Sequence, residues 1–316
     1  MNFKNKELLT KARPVIGLII FSVLISFMSD RFLTVNNLFN VFRQTSINAI
    51  IAIGMTFVIL TSGIDLSVGS TLAFSSAVAA YLLASGYNIF LVILVALAIG
   101  FFAGCVNGIF IAKGKIQPFI ATLAMMQLLR GATLVFTNGK PIAVPAKEVS
   151  PVFAFIGRGN VMGIHVPIII TIAVLLLAYF LLKFTKFGRY IYAIGGNEES
   201  SVLSGINADR VKISAYAISG LLSALVGLIV ISRLSSAQPT AGESYEMDAI
   251  AAVVLGGTTL SGGQGSVLGT LIGALIIGLL NNALNLMDVQ SYYQMIAKAV
   301  VILIAVLLDR RTVKDW

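Results

Sequence analysis

Reactive side chains are scarce in this sequence. It has one cysteine and one histidine, and Asp, Glu, Lys and Arg together make up only 11% of 316 residues. Water-soluble domains carry about 25% charged residues. A single cysteine, Cys105, excludes an intramolecular disulfide, and its place between Gly104 and Val106 in an apolar run suits a small buried hydrophobe. The lone His165, in Gly-Ile-His-Val-Pro, has no companions with which to form a Cys/His metal cluster. A Gly-x-Ser-x-Gly elbow, a phosphate-cradling Gly-x-x-x-x-Gly-Lys-Ser/Thr loop and paired carboxylates on one helix face are all missing. The expectation is a chain that is not an enzyme and itself binds no metal and no cofactor.

Apolar sequence is abundant. Hydrophobic residues make up 58% of the chain and its mean hydropathy is +0.95. A soluble fold cannot hide that much apolar surface, whereas a bilayer core about 30 Å thick accepts ~20 such residues per helix. Apolar runs fall at 14–28, 46–61, 68–84, 89–111, 117–136, 166–183, 213–232, 247–257, 267–284 and 292–308. The expected fold is an all-α integral membrane protein of about ten transmembrane helices, a single domain over 1–316. The run 247–257 is too short to cross alone. Lys4, Lys6, Lys11 and Arg13 precede the first run as in a signal peptide, but Ser29, Asp30 and Arg31 follow where small residues would mark a cleavage site. That run is expected to stay as a first span.

The charge balance of +9 does not point to nucleic acid, because the basic residues sit in breaks between apolar runs and not on one face. They set orientation instead. With one crossing per run, the tails, 112–116 and 183–212 hold 14 Lys and Arg, against 6 on the opposite side (Arg31, Arg43, Lys140, Lys147, Arg158 and Arg233). The positive-inside rule then puts both termini in the cytoplasm.

Uncharged polar residues interrupt the runs, among them Asn48, Thr56 and Thr61, then Asn107, Thr122 and Gln127, then Asn281, Asn282 and Asn285. Amides and hydroxyls can line a path for an uncharged, hydroxyl-rich solute, and they also tie helices together at about 0.6 kcal/mol each. The candidate path residues are Asn48, Thr61, Asp65, Asn107, Gln127, Asn281 and Asn282. Ion-coupled carriers retain acids or histidines inside spans. Here Asp65 and Asp248 read as span-end residues within reach of water, and Arg130 and Lys298 as side chains that snorkel to an interface. A faint internal echo pairs Asn48-Ala49-Ile50 ahead of a Gly-rich break with Asp248-Ala249-Ile250 ahead of another. Leu260-Ser261-Gly262-Gly263-Gln264 spells the signature of ATP-binding-cassette ATPases, but without a phosphate loop it reads as a flexible glycine-rich connection.

The break Gly188–Asn207, GRYIYAIGGNEESSVLSGIN, carries its own helix signals. Asn197 is a good N-cap, Glu198 and Glu199 suit the positive end of a helix dipole, and Gly205 suits a C-terminal stop. A two-turn helix outside the membrane is predicted, too short to stand alone and so expected to dock on something.

Three stretches carry a resemblance: Thr34–Ser70, this cytoplasmic break, and Arg233–Gly263. They resemble the permease subunits of bacterial ATP-binding-cassette sugar importers, in the ribose-type branch, over nearly the whole chain. The resemblance implies a homodimeric pore in the bacterial cell membrane, an ATPase partner that binds ATP and Mg, and a periplasmic or lipid-anchored sugar-binding protein. It also implies a coupling segment at about 188–210, with Asn197, Glu198, Glu199, Leu203 and Gly205 as its contacts. Glu198 and Gly205 match the glutamate and glycine of the family's Glu-Ala-Ala-x-x-x-Gly pattern. Glu199 and Ser200 stand where it has alanines, and Gly205 falls one residue late. Ribose is the sugar implied; xylose, arabinose, galactose or a furanose signal are the alternatives within the family, and an ion-coupled carrier is the alternative outside it.

Overall fold

The computed structural model describes residues 3–28, 31–145, 150–290, 292–300 and 303. The last run of the sequence, expected over 292–308, is helical at 292–300 and at 303, and the rest lies outside the described residues, as do the tail charges Arg310, Arg311 and Lys314. Twelve helices precede it: α1 (Phe3–Met28), α2 (Val35–Leu60), α3 (Val68–Ala84), α4 (Ile89–Ala112), α5 (Pro118–Thr137), α6 (Pro151–Arg158), α7 (Val166–Phe184), α8 (Lys186–Gly196), α9 (Glu198–Leu203), α10 (Ala208–Leu234), α11 (Tyr245–Leu255) and α12 (Val267–Leu286). Two-residue strands form two small antiparallel pairs, β1 (Ile142–Ala143) with β4 (Ser236–Ala237), and β2 (Asn160–Val161) with β3 (Ile164–His165). These pairs mark one end of the bundle, the hairpin end. Helices α8 and α9 mark the other.

Among the described residues six helices, α2, α4, α5, α7, α10 and α12, are long and apolar enough to cross a bilayer. Helix α3 has 17 residues and α11 only 11, which at 1.5 Å per residue gives about 26 and 17 Å. The α2 helix begins eleven residues earlier than the apolar run at 46. Thr34 caps it, its Oγ1 accepting from Asn37 N at 3.4 Å, so the polar stretch Asn36–Thr45 is helix. Hydropathy misses that extension because Asn36, Asn37, Asn40, Arg43 and Gln44 interrupt the apolar Leu38, Phe39, Val41 and Phe42.

The centre is made by α2 and α10. Of their most apolar windows 83% and 72% is buried, against 22% for α4, which faces outward. Water-driven burial cannot hold helices together in lipid, so close backbone approach does it. Gly100 and Gly104 of α4 meet Gly220 and Tyr216 of α10 so tightly that a Cβ at Gly104 would stand 2.1 Å from the Tyr216 carbonyl oxygen. Cys105, expected to be buried, is partly exposed beside this seam, in a crevice with Phe101, Ile213 and Ala217.

Two irregular stretches run into the bundle from opposite ends. After α2 the chain turns back as 61–67, and Tyr216 Oη, on the third turn of α10, donates to Ile64 O at 3.2 Å. From β4 the chain enters as 238–244, where Arg130 Nη1 donates to Pro239 O at 2.7 Å and Ala241 O at 3.0 Å. The 238–244 stretch meets the first turn of α3, where Gly69 lies against Gly242 with room for no side chain at either. Non-helical backbone at membrane depth survives only when enclosed by protein, and 63–68 is largely buried. Thus the short eighth run joins the hairpin end to the α9 end as a loop followed by the half-length helix α11.

Candidate functional site

At the α9 end, helix α9 is built as its sequence signals predict, only shorter. Asn197 Oδ1 accepts from Ser200 N at 2.8 Å, Ser204 closes the helix, and Gly205 turns the chain away at φ +84°. Glu198 reaches back to Lys212 of α10 at 2.6 Å, and Lys115 lies 3.7 Å from Asp209. Ser201 faces inward, while Val202 is 51% and Leu203 83% exposed. The preceding residues, for which no helix was expected, form α8, whose Ile191 and Ile194 are buried in the core. Beneath α9 lies a cavity of about 330 Å³ lined by Thr61, Ser62, Gln117, Glu198, Lys212 and Tyr216. The turn 259–264 is not loose: Gly263 N donates to Leu60 O at 3.1 Å and Ser62 Oγ to Ser261 O at 2.7 Å.

The polar residues of the interior divide into separate groups. Asp65 is 1% exposed, not within reach of water, and neutral donors hold it: Oδ1 accepts from Ser67 N at 3.0 Å and Ser67 Oγ at 2.6 Å, and Oδ2 from Ser219 Oγ at 2.8 Å. Asn107 extends the knot, donating to Ser67 Oγ at 2.9 Å. Thr61, 4% exposed, bonds its own helix end through Val58 O and lines the α9-end cavity.

Asp248 is likewise buried, at 4% exposure, and it pairs with Lys298 at 3.0 Å, so neither behaves as a span-end or snorkelling group. Arg130 does not snorkel either, being spent on the carbonyls of the 238–244 stretch. Asn48 donates to Asp248 Oδ2 at 3.4 Å, so the two halves of the sequence echo face each other across 200 residues. Asn48, Asp248, Asn281 and Lys298 line a second cavity, of about 270 Å³, toward the hairpin end. Asn282 and Asn37 form a reciprocal amide clasp, with both bonds at 2.9 Å, which pins α12 to α2. Gln127 lies on the exposed face of α5, apart from both cavities. Among the described residues no three His, Cys, Asp or Glu side chains gather as a metal site. Sequence reading missed Lys212, Ser219, Tyr216 and the pairing of Lys298. Their partners lie 14 to 154 residues away, and no local pattern marks them.

A bundle of apolar helices with polar cavities at both ends and a capped surface helix is the architecture of a membrane permease. The sequence agrees: residues 37–306 match the family described as branched-chain amino acid transport system / permease component, and the chain belongs to that family. It is a multi-pass membrane protein. Among individual relatives it is 59% identical over 308 residues to the ribose import permease protein of Haemophilus influenzae, covering 98% of this chain and 95% of that one. It is 54% identical to that of Escherichia coli K12, over 97% and 96% of the two chains, and 54% identical to that of Bacillus subtilis, over 95% and 93%. No solved structure matches the chain significantly.

Proposed function

We propose that this chain is the membrane-spanning permease subunit of an ATP-binding-cassette importer that carries ribose into the cell. Near-full-length similarity to three ribose import permeases supports the class and the sugar. The observation that carries the mechanism is α9, a capped helix anchored on one side by Ser201 and the Glu198–Lys212 pair and bare on the other, with Val202, Leu203 and Glu199 outward. An isolated helix of six residues is not stable by itself. It serves as a rigid handle for an ATPase subunit, which supplies ATP and Mg.

The excess of Lys and Arg at the α9 end favours a cytoplasmic position for it and for both termini, with ten crossings in all. A binding protein then delivers sugar at the hairpin end. A second copy covers the outward face of α5, where Gln127 would otherwise hold an amide in lipid at a cost. The protomer works by alternating access: movement of α9 reaches the cavity beneath it through Glu198 and Lys212, which are both anchor and cavity wall.

Reconstitution of the chain with and without the ATPase subunit, followed by labelled-ribose uptake driven by ATP or by a proton gradient, tests this reading. Uptake is expected only with ATPase, binding protein and ATP present. Uptake by the chain alone under a proton gradient would sink it in favour of an ion-coupled carrier.

A further inference from the structure

The hairpin-end cavity holds more hydrogen-bonding capacity than the protein itself uses. We propose that it is a binding subsite, formed by residues of one protomer, for a neutral polyol the size of a pentose. The proposal rests on the ribose-import reading and locates a stopping point for the sugar on its way through.

Thr45, Asn48, Tyr245, Asp248, Asn281 and Lys298 converge on this space from α2, α11, α12 and the helical stretch 292–300. Thr45 is 2% exposed and its hydroxyl has no partner among the described residues, and the carbonyl oxygen of the Asn281 amide is buried and equally unpartnered. Native interiors rarely leave such atoms unsatisfied, because each costs the full desolvation of its group, so a ligand or water completes them. Lys298 and Asn48 both bind Oδ2 of Asp248, so the carboxylate is pinned and its charge countered, while among the described residues Oδ1 takes no bond.

The mixture of groups selects the ligand class. A hydroxyl donates and accepts, which matches amides that present an N–H and a C=O side by side. A simple anion would meet Asp248 and the Asn281 acceptor, and a simple cation would meet Lys298 and Arg233, which also lines the space. The Tyr245 ring supplies an apolar wall of the kind that small-ligand sites combine with a few polar anchors. At about 270 Å³ the cavity falls just below the ~300 Å³ at which drug-sized sites begin, which suits a smaller solute. Its size depends on Gly278, since a Cβ there would stand 1.9 Å from Thr45 Oγ1.

The full chain in lipid nanodiscs, probed with D-ribose by saturation-transfer NMR, tests the subsite, with inorganic phosphate as the anion probe. Transfer to ribose is expected in the wild type, about tenfold weaker in Asn281→Leu and in Asn48→Leu, each of which leaves polar groups facing an apolar wall. Gly278→Ala, the smallest change, is expected to weaken it as well, and it serves where a leucine variant fails to insert. Absence of transfer in the wild type, transfer unchanged in all three variants, or binding of phosphate in place of ribose would each overturn the proposal. ATP-driven ribose uptake by the assembled importer separates the two readings. Uptake without any saturation transfer removes the subsite and leaves ribose import standing, whereas absence of uptake and of binding removes both.

Discussion

Asp65 and Asp248 are both buried acids, one in the turn ahead of α3 and the other in the first turn of α11, yet they are held in opposite ways. Asp65 accepts from Ser67 and Ser219 and lines neither of the two polar cavities; its knot fastens the 61–67 stretch to α10. Asp248 has a cation, Lys298, and an open polar cavity beside it. A carboxylate saturated by neutral donors in a closed site fixes backbone. One balanced by a long flexible cation at a cavity wall can change partners as the helices around it shift. The same contrast separates the interior from α9, whose Glu198 is 43% exposed and whose Val202 and Leu203 face outward.

The comparison breaks most easily at Asp65. Asp65→Leu strips three donors of their acceptor in a buried site and is expected to destabilise the chain by about 2–4 kcal/mol in SDS-titration unfolding. A loss below ~0.5 kcal/mol would show that the knot is not structural. Next comes the α4–α10 seam. Gly220→Val drives a side chain toward the Gly100 carbonyl, 2.1 Å from where a Cβ would stand, and about 1–3 kcal/mol should disappear from thermal stability in detergent.

Asn282→Leu opens the amide clasp to Asn37, and its cost should be near 0.6 kcal/mol and no more than ~1.7 kcal/mol. The smallest stability effect belongs to Glu198→Arg. It breaks a pair exposed on its Glu198 side, worth about 1 kcal/mol or less, so membrane insertion should hold and melting should move little. Co-purification of the ATPase and ATP-driven uptake should nevertheless be lost, and Leu203→Asp should do the same with no stability cost. Wild-type uptake in both variants would refute docking on α9.

Much of this was legible from residue order alone. The caps of α9 are local, a side chain reaching three residues along at Asn197 and a glycine at positive φ at Gly205, so both could be read directly. The long apolar helices followed from hydropathy, and the short run at 247–257 was visible as too short. The start of α2 was not legible, because amides and Arg43 break up the apolar residues of Asn36–Thr45 and its helix depends on the Thr34 cap and on Asn37 meeting Asn282. Nor was α8, whose two buried isoleucines flank tyrosines and glycines that read as a loop. Of the path candidates, Asn48 and Asn281 share a wall, Thr61 lines the opposite cavity, and Asp65 with Asn107 forms the knot.

Composition by itself determined that lipid is the solvent of this chain, that the chain is helical, and that its polar residues are too few for a soluble surface. These are properties of sums and short windows: burial cost per residue, bilayer thickness, and capping over three or four positions. Which charges are spent on structure was decided only in three dimensions. Arg130 meets carbonyls more than a hundred residues away, Lys298 meets Asp248 across 50, and Asn48 meets Asp248 across 200. In a bundle whose helices attract one another without directional preference, close glycine contacts and these few polar pairs set which helices are neighbours. A hydrogen bond between distant residues leaves no trace in local sequence.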